Sequence, residues 1–486
     1  MLSKLFTAGC SLLVVLGCVA QAVCEQAVDP LAEAVGEEYR LPNMHLNISE
    51  DLLNAVLSST AHTRAPFNEM ILGSRYRGMS TTDSSFSLRT EPNDESVALS
   101  LLWQATVASR TQSTTQRTDV SSRSTTRIAA IKQLSRQQDE WQIEPARVRA
   151  ASRSRITNVE VRRLLGRRVA RQRVYAQRPA VDRSAARQAE QRTRREFDRQ
   201  IDALLATMRE DFDRQFRQPL AEREQFPEIV RQRSTAEAVE LILLQANASQ
   251  YGATSNLPAR PAKQSAGDLS FSLHESAVNN LATGTLAGEQ VREDQLAEQM
   301  AQLLGRAPAG LQPSDPEKLW TIHFHRASPL RVEFAAGVVT VTLQAQGFTV
   351  GKQSIPGARL KVAYELDADG ARLHGARQGR IEIVPLDADE VSRVGVRYQV
   401  FRSMLRRRFE RVFPAEFTWD KLPLPADWPE RATLTFAHCQ ATGEWLQLDC
   451  TLPDPPANPH AQAPFSGASR LVLEPGATKK TSRVLD

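Results

Sequence analysis

The chain has 486 residues, 41% of them apolar and 24% charged, ordinary values for a soluble protein with two or three domains and real buried cores. The formal net charge of +5 is small for this length, so any basic character is local: basic residues, nearly all Arg, cluster between Arg147 and Arg195. Beyond the first 22 residues no apolar run approaches the ~18–20 residues of a membrane helix, which excludes a helical span in the mature chain.

Residues 1–22 read as a signal peptide. Lys4 is a short basic region, Leu12 to Val19 an apolar core, and Ala20-Gln21-Ala22 has small residues at −3 and −1. The mature start is expected near Val23, with export to the periplasm, the cell envelope or the medium. The competing reading is a lipoprotein, with Val15-Leu16-Gly17-Cys18 as a loose lipobox and Cys18 acylated. Cys10 and Cys18 lie inside the signal and Cys24 just after it. Export allows a disulfide, and Cys439–Cys450 is the expected bridge; two buried free thiols are the alternative. No Cys-x-x-Cys pair suggests a zinc or redox site.

The first unit is placed at residues 44–255. His45-Leu46-Asn47-Ile48 alternates like a strand, and Ser49-Glu50-Asp51 can cap a helix carrying Leu52, Leu53, Val56 and Leu57. From Met70 to about Val161 the period is mainly two. The Ser/Thr/Arg/Gln-rich stretch 109–126 reads as long polar strands or a wide hairpin; disorder is its other reading. An Arg-rich helical insertion is expected at about 160–196, interrupted at Arg178-Pro179. Phe197, Ile201, Leu204, Met208, Phe212 and Phe216 then put one apolar stripe on a helix that Pro219 ends. Val239, Leu241 and Leu243 alternate, and strand is favoured over helix for Val239–Thr254. Residues 256–267 read as a linker.

The second unit, residues 268–453, repeats the first. Phe271 to Asn279 matches Leu46 to Asn54, so Glu50/Asn54 recurs as Glu275/Asn279 at an offset of 225 (50 to 275). Val394, Tyr398, Phe401, Leu405, Phe409 and Phe413 reproduce the first stripe at an offset of 197 (197 to 394). Gln440-Ala441 matches Gln245-Ala246 at 195 (245 to 440). Between its helices the second unit is β-rich, with Asp369-Gly370 as a hairpin turn. Residues 454–486 read as a disordered tail. The fold class is therefore α+β: two duplicated units, each a long antiparallel β-meander packed on a capped N-terminal helix and a long amphipathic C-terminal helix.

Catalytic motifs are not found: no Gly-x-Ser-x-Gly, P-loop, dinucleotide fingerprint or His-Glu-x-x-His. No cofactor or metal is expected. His323 and His325 share a strand face without a third ligand, and Asp367-x-Asp369-Gly370 lacks the downstream Glu of a calcium loop. Asp387, Asp389 and Glu390 read as a solvated loop capping a helix near Val391. The Glu/Asn pairs read as first-turn acids with an Asn serving a nearby backbone group; a ligand clamp is the sharper alternative. Intrahelical pairs Glu190–Arg194, Glu210–Arg214 and Asp213–Arg217 would make the Arg-rich helix a solvated face. Otherwise it contacts an anionic envelope polymer or lipid headgroups through Arg187, Arg192, Arg194 and Arg195. Nucleic acid is disfavoured by export.

Strand, capped helix, long meander, long amphipathic helix and final hairpin occur in that order twice. This order resembles the tubular lipid-binding (TULIP) superfamily, in which a twisted antiparallel sheet wraps a long helix and two such units pair. The resemblance spans about Leu46–Leu452 and is one of element order, so no ligand residue carries over. His274-Glu275-Ser276-Ala277-Val278-Asn279-Asn280-Leu281 also resembles a motif of secreted bacterial proteins without assigned activity. The superfamily resemblance implies an exported, non-enzymatic protein holding an acyl chain or other apolar molecule between helix and sheet. Phe197, Ile201, Met208, Phe212, Tyr398, Phe401, Leu405 and Phe409 would line that space. The alternative is a structural or adhesive envelope protein contacting an anionic polymer through the Arg-rich helix.

Overall fold

The computed structural model describes residues 40–453, apart from 115–117, 138–139, 162–166, 260–266, 296–318, 352, 370–371, 387–395, 423–428 and 430–431. The expected signal, lipobox and tail, and Asp387, Asp389 and Glu390, lie outside the described residues, as does most of the expected linker.

The fold mixes helices with antiparallel sheets. β1 (Met44–Ser49) runs into α1 (Glu50–Leu57). The Ser49 hydroxyl accepts from the Leu52 N–H, the capping expected of a serine there. A meander follows: β2 (Ser59–Ile71), β3 (Ser74–Glu91), β4 (Ala98–Thr114), β5 (Thr118–Gln137), β6 (Glu140–Ile143) and β7 (Arg147–Val161). The Ser/Thr-rich stretch thus forms strands, with Thr114 paired to Asp119 across the β4–β5 hairpin. Next come α2 (Arg167–Phe212), a π-helical turn (Asp213–Arg217), α3 (Gln218–Ala221), β8 (Glu228–Ser234) and β9 (Ala238–Leu244).

The second half has β10 (Leu269–His274), α4 (Glu275–Leu286), β11 (Gln290–Arg292), β12 (Trp320–Phe324), β13 (Leu330–Ala335), β14 (Val338–Val350) and β15 (Gln353–Asp369). β16 (Arg372–Arg377), β17 (Glu382–Pro385), α5 (Val396–Val412), β18 (Glu416–Trp419), β19 (Thr435–Thr442) and β20 (Trp445–Thr451) complete it. Asp369 pairs with Arg372, so the calcium-like motif is a hairpin end. Among the described residues no group of three or more His, Cys, Asp or Glu is placed to hold a metal. His323 bonds Thr349 at 2.8 Å, and His325 accepts the Ala327 and Ser328 N–H groups.

Two expected breaks in the long helix are not breaks. α2 continues through Pro179, which is exposed. The carbonyl it leaves unbonded can turn to water. Pro219 does not end the helical path either: it sits in the first turn of α3, directly after the π-helical turn.

A six-stranded sheet joins the halves in the order β19-β20-β10-β1-β9-β8. At its centre β1 and β10 run antiparallel with Leu46 opposite Phe271, the two residues matched at offset 225. β9 pairs with β1 and β20 with β10. β9 therefore corresponds in position to β20, not to β19 as the Gln245/Gln440 match would have it. The hairpin is β8–β9, not Val239–Thr254. Gly443 and Glu444, both at positive φ, turn the equivalent β19–β20 hairpin.

The helix after each central strand does the same work in both halves. Asn54 accepts the Leu88 N–H and donates to its carbonyl, both at 2.8 Å. Asn279 treats Val332 identically, at 2.7 and 3.1 Å. Glu50 accepts the Thr90 N–H and Glu275 the Phe334 N–H. β2 begins at Ser59, opposite Phe86, so among the described residues Leu88 and Thr90 have no strand neighbour on that side. The side chains replace one.

Cys439 and Cys450 are free thiols, and the expected bridge is not formed. Register explains this: Cys439 faces Leu448 and Cys450 faces Phe436, so the two cysteines are not opposite one another. Burial pushes both thiols up to about 12. Native protein at pH 8 is expected to leave both unalkylated by iodoacetamide, whereas denaturation without reductant exposes both, read by peptide mass.

Candidate functional site

Phe197, Ile201, Met208 and Phe212 of α2 are at most 7% exposed. Phe197 and Ile201 pack in the core with Leu99, Leu101 and Ile128, and Phe197 meets Phe86 edge to face. Leu405 and Phe409 of α5 are buried in a second core beside Phe348 and Leu360, with Phe401 partly buried against it. The Phe216 and Tyr398 side chains lie outside the described residues. At these positions the space between helix and sheet is filled by the stripes themselves.

The hollow is further along. A cleft of about 1710 Å³ lies between the charged part of α2 and the sheet β2–β5 with β7. On the helix it is lined from Val169 to Arg199, including Ala185, Ala189, Arg192 and Arg195. Arg187 and Arg194, the other two arginines expected to contact an anionic surface, are exposed outside that lining.

Spacing holds α2 above this sheet. Asp182 accepts from the Ser154 hydroxyl, Glu190 from the Ala150 N–H and Asp198 from the Ala146 N–H. The acids recur every eight residues and their partners every four in the opposite direction. Eight helical residues rise about 12 Å and four strand residues about 13 Å, so the two series stay in step. Among the described residues β7 pairs with β5 alone, and Glu190 takes a backbone N–H of β7 at Ala150. Glu190 is therefore engaged with the sheet rather than with Arg194. Asp213–Arg217 forms at 3.6 Å, while Arg214 takes Asp211 instead of Glu210. Lys132, 2% exposed on β5, reaches Asp198 at 2.6 Å and Asp202 at 3.1 Å. On the other side Arg192 pairs with Glu69, and Gln188 donates to the Met70 carbonyl.

The sheet face under the helix changes character along its length. Near the central sheet it carries Leu99, Leu101, Ala105, Ile128, Ala130 and Val148. Under the cleft it carries Ser109, Thr111, Ser113, Ser122, Ser124, Thr126, Ser152 and Ser154, with Val107, Val120 and Ile156 among them. Strand register places Ser80, Ser109, Ser124 and Ser154 side by side on four strands. Cross-strand bonds tie Ser109 to Ser124 at 2.7 Å, Thr111 to Ser122 at 3.0 Å and Thr126 to Ser152 at 3.0 Å. Burial, and then the Asp182 carboxylate, hold the Tyr76 phenol above its ordinary range. The alternation of hydroxyls in 109–126 was the available signal, but which parity faced inward was not readable.

A smaller cavity of about 300 Å³ opens at the start of α4. His274, 1% exposed, caps that helix: its Nδ1 accepts the Ser276 N–H at 3.1 Å and lies 3.0 Å from the Ser276 hydroxyl. Its Nε2 is 3.3 Å from Glu444. Ser, His and Glu in series is also the arrangement of nucleophilic hydrolases. Here the Nδ1 lone pair that would take the serine proton already holds a backbone N–H, so the three residues cap and brace the helix. Burial lowers the His274 pKa against an opposing contribution from Glu444. The neutral form is thus the folded form. Its stabilisation is full above the unfolded value of about 6.5 and is lost as pH falls through the lowered folded value. His45, beside the same Trp445, has the same sign. Glu275 is raised by burial and has the opposite sign, in a window nearer its ordinary 4.5. The melting temperature should therefore drop between pH 7.5 and 5.5, and His274→Asn, which keeps a cap, should shrink that drop. An unchanged drop would count against the assignment.

No family model matches the chain, and no curated protein matches it. Among solved structures it is similar to a lipopolysaccharide binding protein, with a TM-score of 0.26 and 10% identity, over 85% of this chain and 99% of that one. No described helix is long and apolar enough to cross a membrane.

Proposed function

We propose that this is an exported, non-enzymatic binding protein whose first half seats a ligand between α2 and the sheet beneath it. The cleft of about 1710 Å³ along the charged part of α2 carries this reading. Element order, the Leu46–Phe271 register and the recurring Glu/Asn contacts support two duplicated units of the tubular lipid-binding type. Residues 1–22 support export, with cleavage before Val23 or lipidation at Cys18 as the two routes; the amino-terminal mass of protein recovered from the envelope separates them. The large side chains first expected to line a ligand space fill cores, so the seat is assigned to the cleft.

Native mass spectrometry after gentle purification tests the seat. A bound or added small molecule should be held less well by Ala185→Trp, which obstructs the middle of the cleft. Equal retention by both proteins would sink the assignment. An envelope-adhesion role is favoured by one observation: Arg187 and Arg194 are exposed outside the cleft, and no described carboxylate pairs with either. Cosedimentation with an anionic polymer that survives Arg187→Glu with Arg194→Glu would reject it.

A further inference from the structure

The sheet floor of the cleft is mostly Ser and Thr, with Val107, Val120 and Ile156 among them. We infer that the cleft takes an anionic, hydroxyl-rich oligosaccharide; this rests on the cleft being the ligand seat. Hydrocarbon answers none of the donor and acceptor sites that the cross-strand bonds leave open, whereas hydroxyls of a ligand can. The same sheet offers a leucine-lined surface a few rungs away, and that part is closed by Phe197 and Ile201. The part left open carries the hydroxyls, alongside Val107, Val120 and Ile156.

Each hydroxyl has one donor and two acceptor sites. The cross-strand bonds between Ser109 and Ser124, Thr111 and Ser122, and Thr126 and Ser152 use only some of them. They also fix the hydroxyl positions, so a ligand meets a preorganised grid of donors and acceptors. A polyol answers such a grid with groups of the same kind. At the β2–β3 end Phe67 and Tyr76 line the cleft, both half-buried. Their rings can take the apolar C–H face of a pyranose.

Charge selects among sugars. Arg192 and Arg199 are engaged by Glu69 and Glu196. Arg173, Arg178 and Arg195 also line the cleft, and among the described residues no carboxylate pairs with them. Guanidinium groups bind carboxylate or sulfate through paired N–H donors. Arg173 and Arg195 are separated along the helix by about 33 Å. That separation calls for a chain bearing repeated anionic groups, not a single ring.

Isothermal titration of the full chain tests this with three probes: an oligogalacturonate of six residues, neutral maltohexaose, and palmitate. The acidic sugar should bind, about tenfold or more tighter than the neutral one, and more weakly as salt rises. Arg173→Gln with Arg195→Gln should lower its affinity about tenfold. So should Ser109→Ala with Ser124→Ala, each pair keeping the wild-type urea midpoint. Ala185→Trp, which obstructs the middle of the cleft, should weaken binding about tenfold or more. Equal affinity for both sugars overturns the anionic assignment. Palmitate binding that Ala185→Trp weakens overturns the sugar while keeping the cleft as the seat. Binding of no probe, or binding unaffected by Ala185→Trp, overturns the inference and the seat together.

Discussion

Lys132→Ala should lower stability by about 3 kcal/mol, because it strips the cation from an ion pair at the base of α2. Lys132 is 2% exposed, and its ammonium sits 2.6 Å from Asp198. Removing it leaves Asp198 facing the sheet with only the Ala146 N–H as a described partner. Asp198 retains 26% side-chain exposure and Asp202 56%, so water recovers part of the loss and the effect stays below that of a wholly buried pair. Lys132→Met keeps the packing of the stem and should cost less. Urea midpoints of the three proteins at one pH decide the matter. A wild-type midpoint for Lys132→Ala would mean that α2 is held by the acid series on β7 alone.

Asn54→Ala and Asn279→Ala should each cost about 2–4 kcal/mol, the sum of two orphaned backbone groups. Leu88 is 1% exposed and Val332 6%, so neither can recruit water without opening the helix from the sheet. Asparagine presents a donor and an acceptor on one planar group, which is what one residue of a neighbouring strand would present. Asp at either position keeps the acceptor and turns the donor into a second acceptor against a carbonyl, so it should be no better than Ala. The two sites share no partner, and the double variant should be near additive. Hydrogen exchange at Leu88 and Val332 provides a local reading, with faster exchange expected only at the site altered.

The sequence made some of this legible and hid the rest for physical reasons. Period-two alternation marked the strands, and the six-residue stripes marked the helix faces that enter the cores, because burial leaves a periodic trace in residue type. The Asn54 and Asn279 roles were readable as service to nearby backbone, since their spacing from Glu50 and Glu275 repeats. The series Asp182, Glu190, Asp198 was not readable. Two of its partners are backbone N–H groups, which leave no mark in composition. Pro179 was misleading because a lone exposed proline can be carried by a helix otherwise anchored at three points. The cleft stayed hidden for a related cause: Ser and Thr on alternate positions look the same whether they face solvent or line an interior.

The central sheet has a consequence for how the molecule is made. β1 emerges early, yet its β10 neighbour is complete only at His274. At translation rates of about 5–20 residues per second, that wait is on the order of tens of seconds. Throughout it, one side of β1 is an open edge in the middle of the future sheet. The residue it awaits opposite Leu46 is Phe271, which occupies Leu46's own place in the other half. A second nascent chain offers β1 in that same geometry. A chain that carries β1 but not yet β10 is thus expected to be the form most prone to pair with another copy of itself.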